Sequence, residues 1–202
     1  MKVTIALVDY SAGNLQSVRN ALKAAGAGNV LVTADPAVVA TADRIVLPGV
    51  GAFAHCMHAL SAIDGMVEAL NVATGAGGRP FLGICVGMQL MAESGEEHGR
   101  HAGLGWIKGV VRAMPVRGEI KIPHMGWNDV QPLGDHPLIR SGEAYFLHSF
   151  AFEGDGVLAT TTHGGPVVAA IGDRNRIGVQ FHPEKSQKYG LEFLSRFLEW
   201  KP

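Results

Sequence analysis

Short apolar runs alternate with segments of helical period along the first half of the chain. Four of these runs are predicted to be strands, at residues 4–8, 30–33, 44–48 and 81–84. Between the first two runs, apolar side chains recur at steps of three and four from Leu15 to Ala25, which predicts one face of a helix. Asp35 followed by Pro36 is typical of a capped helix start, and further helices are predicted from Ala52 and Asp64. This alternation predicts parallel strands crossed by helices.

After Gly99 the pattern changes to strands joined by turns. Predicted strands cover residues 106–111, 145–150 and 157–162, and residues 167–181 form a predicted hairpin whose turn is 173–176. Leu191, Leu194 and Leu198 indicate one side of a closing helix. We therefore expect an α/β fold, with a mostly parallel central sheet flanked by helices and an added antiparallel, β-rich portion in the C-terminal half. Because no linker or repeat interrupts the 202 residues, we expect a single domain over residues 1–202.

Composition and charge narrow the possible partners. The net charge is −1 and no block of like charges occurs, so binding to nucleic acid or to an anionic membrane is not expected. The start of the chain is too short an apolar run for a signal sequence, and no stretch approaches 18 apolar residues, which predicts a cytoplasmic protein. Cys56 and Cys85 are the only cysteines, and in a reducing compartment we expect both to be free thiols.

The stretch GICVGM at residues 83–88 contains the first candidate for chemistry. Cys85 lies between Gly83 and Gly87, which is the spacing of a nucleophile on a tight turn from a strand into a helix. The first N–H groups of that helix would favour a thiolate, and the N–H of Val86 could stabilise an oxyanion. The alternative is that Cys85 is a small buried apolar residue and the glycines only permit close packing.

A cysteine nucleophile needs a base, and His182 has the best sequence context for one. It ends the apolar run GVQF and precedes Pro183, which favours an extended backbone. In an extended segment Glu184 would lie on the same face as His182 and could orient the imidazole. Cys85, His182 and Glu184 are therefore a candidate nucleophile, base and orienting carboxylate; the alternative is a histidine at a strand end beside a surface glutamate.

The remaining histidines do not predict a metal site. His55 and His58 flank Cys56, and His98 and His101 are close together, but neither group has a fourth ligand at a recognisable spacing. We expect no metal and no cofactor.

The stretch LPGVGAFA at residues 47–54 has two interpretations. Gly49, Val50 and Gly51 between a strand and a helix approach the dinucleotide-binding pattern, although they follow the third predicted strand and lack the expected acidic residue. Alternatively, this loop lies beside Cys85, and N–H groups of Val50 and Gly51 complete an oxyanion hole with Val86. The first interpretation favours a nucleotide-binding oxidoreductase and the second favours acyl transfer.

Together these motifs resemble those of the class I, triad-type glutamine amidotransferases. GICVGMQL and GVQFHPEKS carry the general resemblance, while DYSAGNLQSV, LPGVGAF and KIPHMGWN are similar to the glutaminase subunits of imidazole glycerol phosphate synthases. The motifs extend over nearly the whole chain, and PHMGWN is the most discriminating one. Phe150 stands where that family usually has tyrosine, so a hydroxyl is missing there although backbone contacts remain possible.

The resemblance implies a reaction and a binding site. Cys85 would attack the side-chain amide of glutamine to give a γ-glutamyl thioester and ammonia, with His182 as acid and then base. Four residues would bind glutamine: Gln89, Glu97, Ser149 and Phe150. Glu97 would take the α-amino group, unless its neighbour Glu96 does, and the backbone of Ser149 and Phe150 would take the α-carboxylate.

The same resemblance implies a protein partner. Ammonia would pass to a (β/α)₈-barrel cyclase subunit of a heterodimer that serves histidine biosynthesis. Glutaminase activity would be low for the subunit alone and would rise strongly with the cyclase subunit and its nucleotide, and a change in the orientation of the Val50 peptide is our hypothesis for the switch. Asn14, Trp127 and Lys185 are the candidate interface residues, with a core tryptophan as the alternative for Trp127. Two further functions remain open, namely the glutaminase subunit of another amidotransferase and a non-catalytic interaction protein.

Overall fold

The structure is a computed structural model that describes residues 3–75, 78–115 and 120–202. Up to residue 85, the described residues form strands separated by one or two helices, because apolar runs of strand length are separated by amphipathic segments. The strands are β1 (Thr4–Val8), β2 (Asn29–Thr33), β3 (Arg44–Gly49) and β4 (Phe81–Cys85). The helices are α1 (Leu15–Ala24), α2 (Pro36–Thr41), α3 (Phe53–Ser61) and α4 (Met66–Thr74). The Asp35 side chain accepts a hydrogen bond from the N–H of Ala37, as its capping position predicts.

After β4, the residues that the structure describes form nine further strands and two further α-helices. The strands are β5 (Ala92–Gly95), β6 (His101–Ala102), β7 (Ile107–Ala113), β8 (His124–Pro132), β9 (Gly142–His148), β10 (Phe150–Gly154), β11 (Val157–Thr162), β12 (Pro166–Asp173) and β13 (Arg176–Val179). The helices are α5 (Val86–Gln89) and α6 (Gln187–Glu199), and a 3₁₀ turn covers Pro183–Lys185.

Nine strands form one sheet in the order β2-β1-β3-β4-β13-β12-β11-β8-β9. The first five are parallel, and the other four are joined to them in antiparallel pairs. A smaller sheet has the order β10-β7-β5-β6. The expectation of a mainly parallel α/β sheet with an antiparallel addition is confirmed.

The carboxyl ends of three neighbouring strands meet at one edge of the large sheet. Gly49 at the end of β3 pairs with Cys85 at the end of β4, and Ile84 pairs with Val179 at the end of β13. Both faces of β3 and β4 are buried, which explains their continuous apolar sequence. Loops that leave such ends converge on one crevice, and this is where ligands bind in open α/β sheets.

Three details differ from the sequence expectations. The predicted strand at 145–150 divides at Ser149 into β9 in the large sheet and β10 in the small one, because each half pairs with a different neighbour. Helix α5 is a single turn. The buried side of α6 is formed by Phe193, Leu194 and Phe197, whereas Leu191 is 37% exposed. None of the helices in the described ranges is long and apolar enough to cross a membrane.

Candidate active site

The Cys85 backbone adopts a conformation that is rare for a residue with a side chain. Its φ of 54° and ψ of −111° place the thiol on a sharp bend between β4 and α5. The flanking glycines are required by close approach: a Cβ on Gly83 would lie 2.6 Å from the carbonyl oxygen of Gly87, and one on Gly87 would overlap the carbonyl oxygen of Leu47 in β3. The bend thus has the geometry of a nucleophile elbow.

His182 and Glu184 form a buried pair next to Cys85. The Nδ1 atom of His182 lies 2.8 Å from Oε1 of Glu184, and the two side chains are 4% and 2% exposed. The contact is made as predicted but by a different backbone. His182 is extended, whereas Glu184 lies in the 3₁₀ turn, which brings its carboxylate back under the ring. The expectation of an extended segment through Glu184 was wrong, because Ser186 closes the turn through its hydroxyl bond to the His182 carbonyl.

Hydrogen bonding and charge decide the ionisation of His182. Burial by itself lowers the pKa of the imidazole, whereas hydrogen bonds and negative charge from Cys85 and Glu184 raise it to about 10. One ring nitrogen is therefore held by Glu184 and the other faces the thiol. Among the described residues, Oε2 of Glu184 is buried without a hydrogen-bond partner, so the carboxylate's charge acts mainly on His182.

Gln180 is a site residue that the sequence analysis missed. It is fully buried, and its Nε2 lies 3.7 Å from Sγ of Cys85, while its Oε1 accepts a hydrogen bond of 3.0 Å from Nε2 of Gln89. Its position two residues before His182, on the same strand face, was the available sequence clue. The carbonyl of Leu147, 3.9 Å from Sγ, faces the thiol from β9.

Most of the predicted site residues line one cleft of about 150 Å³ that is open to solvent. Its lining includes Val50, Gly51, Cys85, Val86, Gln89, Glu97, Ser149, Phe150, His182 and Lys185. Glu184 lies behind His182, whereas Asn14 and Trp127 lie outside the cleft wall. Residues separated by up to 135 positions in the sequence, from Val50 to Lys185, thus surround one thiol.

The structure separates the two adjacent glutamates. Glu97 lines the cleft, and its Oε2 accepts a hydrogen bond of 2.8 Å from the N–H of Phe53 at the start of α3. Glu96 is exposed and pairs with Arg112 at 2.9 Å, away from the cleft. Of the two, only Glu97 is placed to contact a ligand beside Cys85.

The same contact argues against a dinucleotide site at residues 49–54. In such sites the pyrophosphate binds the free N–H groups at the start of the helix that follows the glycines. Here a carboxylate of Glu97 already occupies the start of α3. A second anion at this position would be repelled by it.

Two buried side chains hold the loop that contains Val50. The Tyr10 hydroxyl donates a hydrogen bond of 2.6 Å to the Pro48 carbonyl, and Sγ of Cys56 lies 3.4 Å from the Val50 carbonyl oxygen. Burial raises the pKa of the Cys56 thiol to about 11, so this thiol keeps its proton and can donate. Both cysteines are free.

An exposed apolar patch adjoins the cleft on β8 and β9. Met125 is 65% exposed, Trp127 47% and Leu147 36%, and Met125 pairs directly with Leu147. Trp127 is therefore not a core residue, and that alternative was wrong. Its ring contacts Tyr145 edge-on at 6.1 Å between centroids, and the Lys185 amine lies 5.7 Å from the centre of the Tyr145 ring.

Asn14 lies outside the cleft, next in sequence to a residue that packs on the end of β3. It is exposed at the start of α1, immediately after Gly13, and a Cβ on Gly13 would lie 3.1 Å from the Pro48 ring. Asn14 therefore lies beside the loop that contains Val50.

Comparisons with known proteins agree with this geometry. The family described as Glutamine amidotransferase class-I matches residues 6–200. The chain is 63% identical to the "Imidazole glycerol phosphate synthase subunit HisH" of Zymomonas mobilis, covering 98% of this chain and 97% of the relative. It is 51% identical to the subunit of the same name from Rhodopseudomonas palustris, covering 99% of this chain and 100% of that one.

Two solved structures share the fold at low identity. "Structure of PurLQS from Thermotoga maritima" has a TM-score of 0.74 at 19% identity, covering 98% of this chain and 99% of that one. A "Crystal structure of glutamine amidotransferase" has a TM-score of 0.72 at 18% identity, covering 96% and 98%. With a thiol elbow, a histidine–glutamate pair and a match over nearly its full length, the chain belongs to the class I glutamine amidotransferase family.

Proposed function

We propose that the chain is the glutaminase subunit of an imidazole glycerol phosphate synthase, which supplies ammonia to a (β/α)₈-barrel cyclase subunit in histidine biosynthesis. The observation that carries the proposal is Cys85 on a strained bend, in the same cleft as a histidine that a buried carboxylate orients. The names of relatives at 63% and 51% identity support this synthase over other amidotransferases.

The reaction begins at the thiol. The Cys85 thiol gives its proton to His182, and the resulting thiolate attacks the side-chain carbonyl carbon of glutamine, whose carbonyl electrons move onto oxygen to form a tetrahedral intermediate. Protonated His182 gives its proton to the amide nitrogen, the C–N bond breaks, and ammonia leaves a γ-glutamyl thioester. His182 then takes a proton from water as that water attacks the thioester, which releases glutamate and restores the thiol. Glu184 keeps the imidazole oriented and stabilises its charged form throughout.

The oxyanion of the intermediate needs hydrogen-bond donors on the open side of Cys85. The N–H of Val86 belongs to the residue after Cys85, and the loop of Val50 and Gly51, which follows the strand end paired with Cys85, lines the same cleft. Losing one such donor costs roughly 10²–10³ in rate. Because the Val50 carbonyl is held by a thiol, a weak donor, the peptide can be rotated at modest cost.

Glutamine would extend across the cleft from Cys85. The Glu97 carboxylate suits the α-amino group, and the backbone of Ser149 and Phe150 suits the α-carboxylate. The Nε2 hydrogens of Gln89 are engaged by the Phe150 carbonyl at 3.1 Å and by Gln180. Gln89 is therefore proposed to contact the substrate through its carbonyl oxygen and to position Phe150.

The cyclase subunit is proposed to cover the cleft. The patch of Met125, Trp127 and Leu147 offers aromatic and apolar anchors, with Lys185 as a polar contact at its edge. Asn14 would contact the partner on the far side of the Val50 loop. Ammonia released in a covered cleft would pass to the partner before it could reach solvent.

The test is glutamate release from glutamine by the wild type and by Cys85→Ala, each alone and with the cyclase subunit and its nucleotide substrate. We expect low activity alone, a strong increase in the complex, and no activity for Cys85→Ala in either state. A His58→Gln variant, changed on the exposed side of α3, is the control and should match wild type. Full activity of Cys85→Ala would exclude the proposed chemistry, and equal wild-type turnover with and without the partner would exclude the activation.

A further inference from the structure

Two buried histidines outside the catalytic trio form a connected set of hydrogen bonds that ends at the cleft. His124 on β8 and His148 on β9 are 3% and 6% exposed, and Nδ1 of His124 lies 3.1 Å from Nε2 of His148. Nδ1 of His148 lies 2.8 Å from the Phe150 carbonyl oxygen. At the other end, Nδ2 of Asn128 lies 3.0 Å from Nε2 of His124. The mechanism described above uses neither histidine.

The charge state of the pair follows from burial. Burial, together with the neighbouring His148 and His163, lowers the pKa of His124 to about 3. Burial likewise lowers the pKa of His148 to about 4, against the effect of the Phe150 carbonyl, which raises it. Both rings are therefore neutral near pH 7, and each carries one N–H.

The direction of each hydrogen bond can then be deduced in sequence. The Phe150 carbonyl can only accept, so Nδ1 of His148 carries the hydrogen and Nε2 must accept from Nδ1 of His124. Nε2 of His124 must in turn accept from the amide of Asn128. That amide is oriented independently, because Nδ2 also donates to the Thr162 carbonyl at 2.9 Å. Each N–H donor in the series then has one acceptor, and no other placement of the hydrogens gives every contact both a donor and an acceptor.

The end of the series is a backbone group at the proposed glutamine site. Between β7 and β10, the N–H of Met114 bonds the Ser149 carbonyl, so Phe150 opposite Ala113 is at a non-hydrogen-bonded position of the ladder. The N–H and carbonyl of Phe150 therefore both point away from β7. His148 and Gln89 together hold that carbonyl, and because Phe150 is in the extended backbone of β10, its N–H points to the same side.

We propose that His148, held in one tautomer by His124 and Asn128, is a positioning residue for glutamine that sets the Phe150 backbone to receive the α-carboxylate. The inference rests on the proposed function, since it concerns the substrate of the same cleft. It assigns a role to the histidine of PHMGWN, whose ring lies too far along the series to touch the substrate itself. It also places Asn128 next in sequence to the exposed Trp127 of the proposed interface.

The two amide replacements of His148 separate this role from simple packing. The amide of asparagine occupies the place of Nδ1 in histidine, whereas that of glutamine occupies the place of Nε2. His148→Asn can still donate to the Phe150 carbonyl, and His148→Gln cannot. Both variants lose the aromatic ring, so a purely structural role would affect them alike.

The assay is glutamate release as a function of glutamine in the assembled complex, with His58→Gln on the exposed side of α3 as the control. We expect His148→Gln to raise KM for glutamine by about tenfold, the loss of roughly one hydrogen bond. We expect kcat of His148→Gln to change less than its KM. We expect the KM of His148→Asn to be much closer to the wild-type value than that of His148→Gln. Equal KM for His148→Gln and wild type, or equal defects in both variants, would overturn the role.

A second measurement needs no variant and does not depend on activity. Nitrogen-15 NMR of the imidazoles distinguishes the two neutral tautomers, and we expect the Nδ1–H form for both His124 and His148 at pH 7. The Nε2–H form for either ring, or a charged ring, would overturn the deduced series. Because Cys85→Ala tests the chemistry separately, a failure of either measurement leaves the glutaminase assignment unaffected.

Discussion

Replacement of Glu184 by glutamine tests whether its charge, and not only its shape, supports His182. The glutamine side chain has the same outline, and its carbonyl can still accept from Nδ1 of His182. The negative charge is lost, and that charge is one of the causes that raise the pKa of His182. Glu184→Ala removes the acceptor as well. The pair of variants therefore separates the charge from the hydrogen bond.

The magnitude follows from the 2.8 Å contact and the near-complete burial of both side chains. A hydrogen bond to a charged group contributes about 1.5–3 kcal/mol and a neutral one about 0.5–1.5 kcal/mol. Loss of the charge should therefore cost about 1–1.5 kcal/mol, or roughly tenfold in kcat. Glu184→Ala leaves a buried imidazolium without its partner, which should cost about 3–5 kcal/mol of unfolding free energy.

The pH dependence of stability gives a second readout, with a definite sign. The pKa of His182 in the folded protein, about 10, is above its usual value of 6.5. The stabilisation is therefore complete below about pH 6.5 and is lost as the pH rises towards 10. The Tm difference between wild type and Glu184→Gln should be largest below pH 6.5 and should narrow at higher pH.

The assay is glutamate release in the complex together with thermal unfolding between pH 6 and pH 10.5. Glu192→Gln is the matched control, because Glu192 is an exposed glutamate of α6 whose pairing with Lys188 spans 3.7 Å. We expect the control to match wild type in both measurements. Two results together would refute the role of Glu184. They are a wild-type kcat in both Glu184→Gln and Glu184→Ala, and a Tm difference between wild type and Glu184→Gln that does not vary with pH.

Two further predictions concern the elbow and the interface. Gly87→Ala should prevent formation of the active bend and lower Tm strongly, because its Cβ would overlap the Leu47 carbonyl. Gly134→Ala is the control: a Cβ at Gly134 would meet nothing within 4 Å, so this variant should match wild type in Tm and activity. Trp127→Ala should weaken binding of the cyclase subunit by at least tenfold in calorimetry while Tm stays within a few degrees of wild type, since this ring is 47% exposed; unchanged binding would exclude it from the interface.

Local sequence patterns were sufficient to predict the parallel half of the fold and the elbow. Thr4–Val8 and Val157–Thr162 have the predicted bounds, because each is a compact run of β-branched and apolar residues between turn residues. The spacing of Gly83 and Gly87 alone predicts the elbow, because β4, α5 and β3 approach too closely there for a residue with a Cβ atom.

What the sequence could not predict depends on contacts between distant segments. Residues 145–150 have a continuous strand pattern, and only pairing with β7 on one side and β8 on the other divides them at Ser149. Gln180 contacts a sulfur 95 positions away, and His124 and His148 meet only because the register of β8 and β9 pairs them. Periodicity reports which face of an element is buried, but it does not report which polar groups will meet there.

Leu147 shows how a partner on the surface could affect the nucleophile. Its side chain is 36% exposed in the apolar patch, whereas its carbonyl oxygen lies 3.9 Å from Sγ of Cys85. The next residue is His148, which holds the Phe150 carbonyl at the proposed glutamine site. A partner that covers the Leu147 side chain would restrain a strand segment whose backbone faces the thiol and whose next residue positions the substrate. Binding and catalysis would then be coupled through two adjacent residues of β9, without movement of the core.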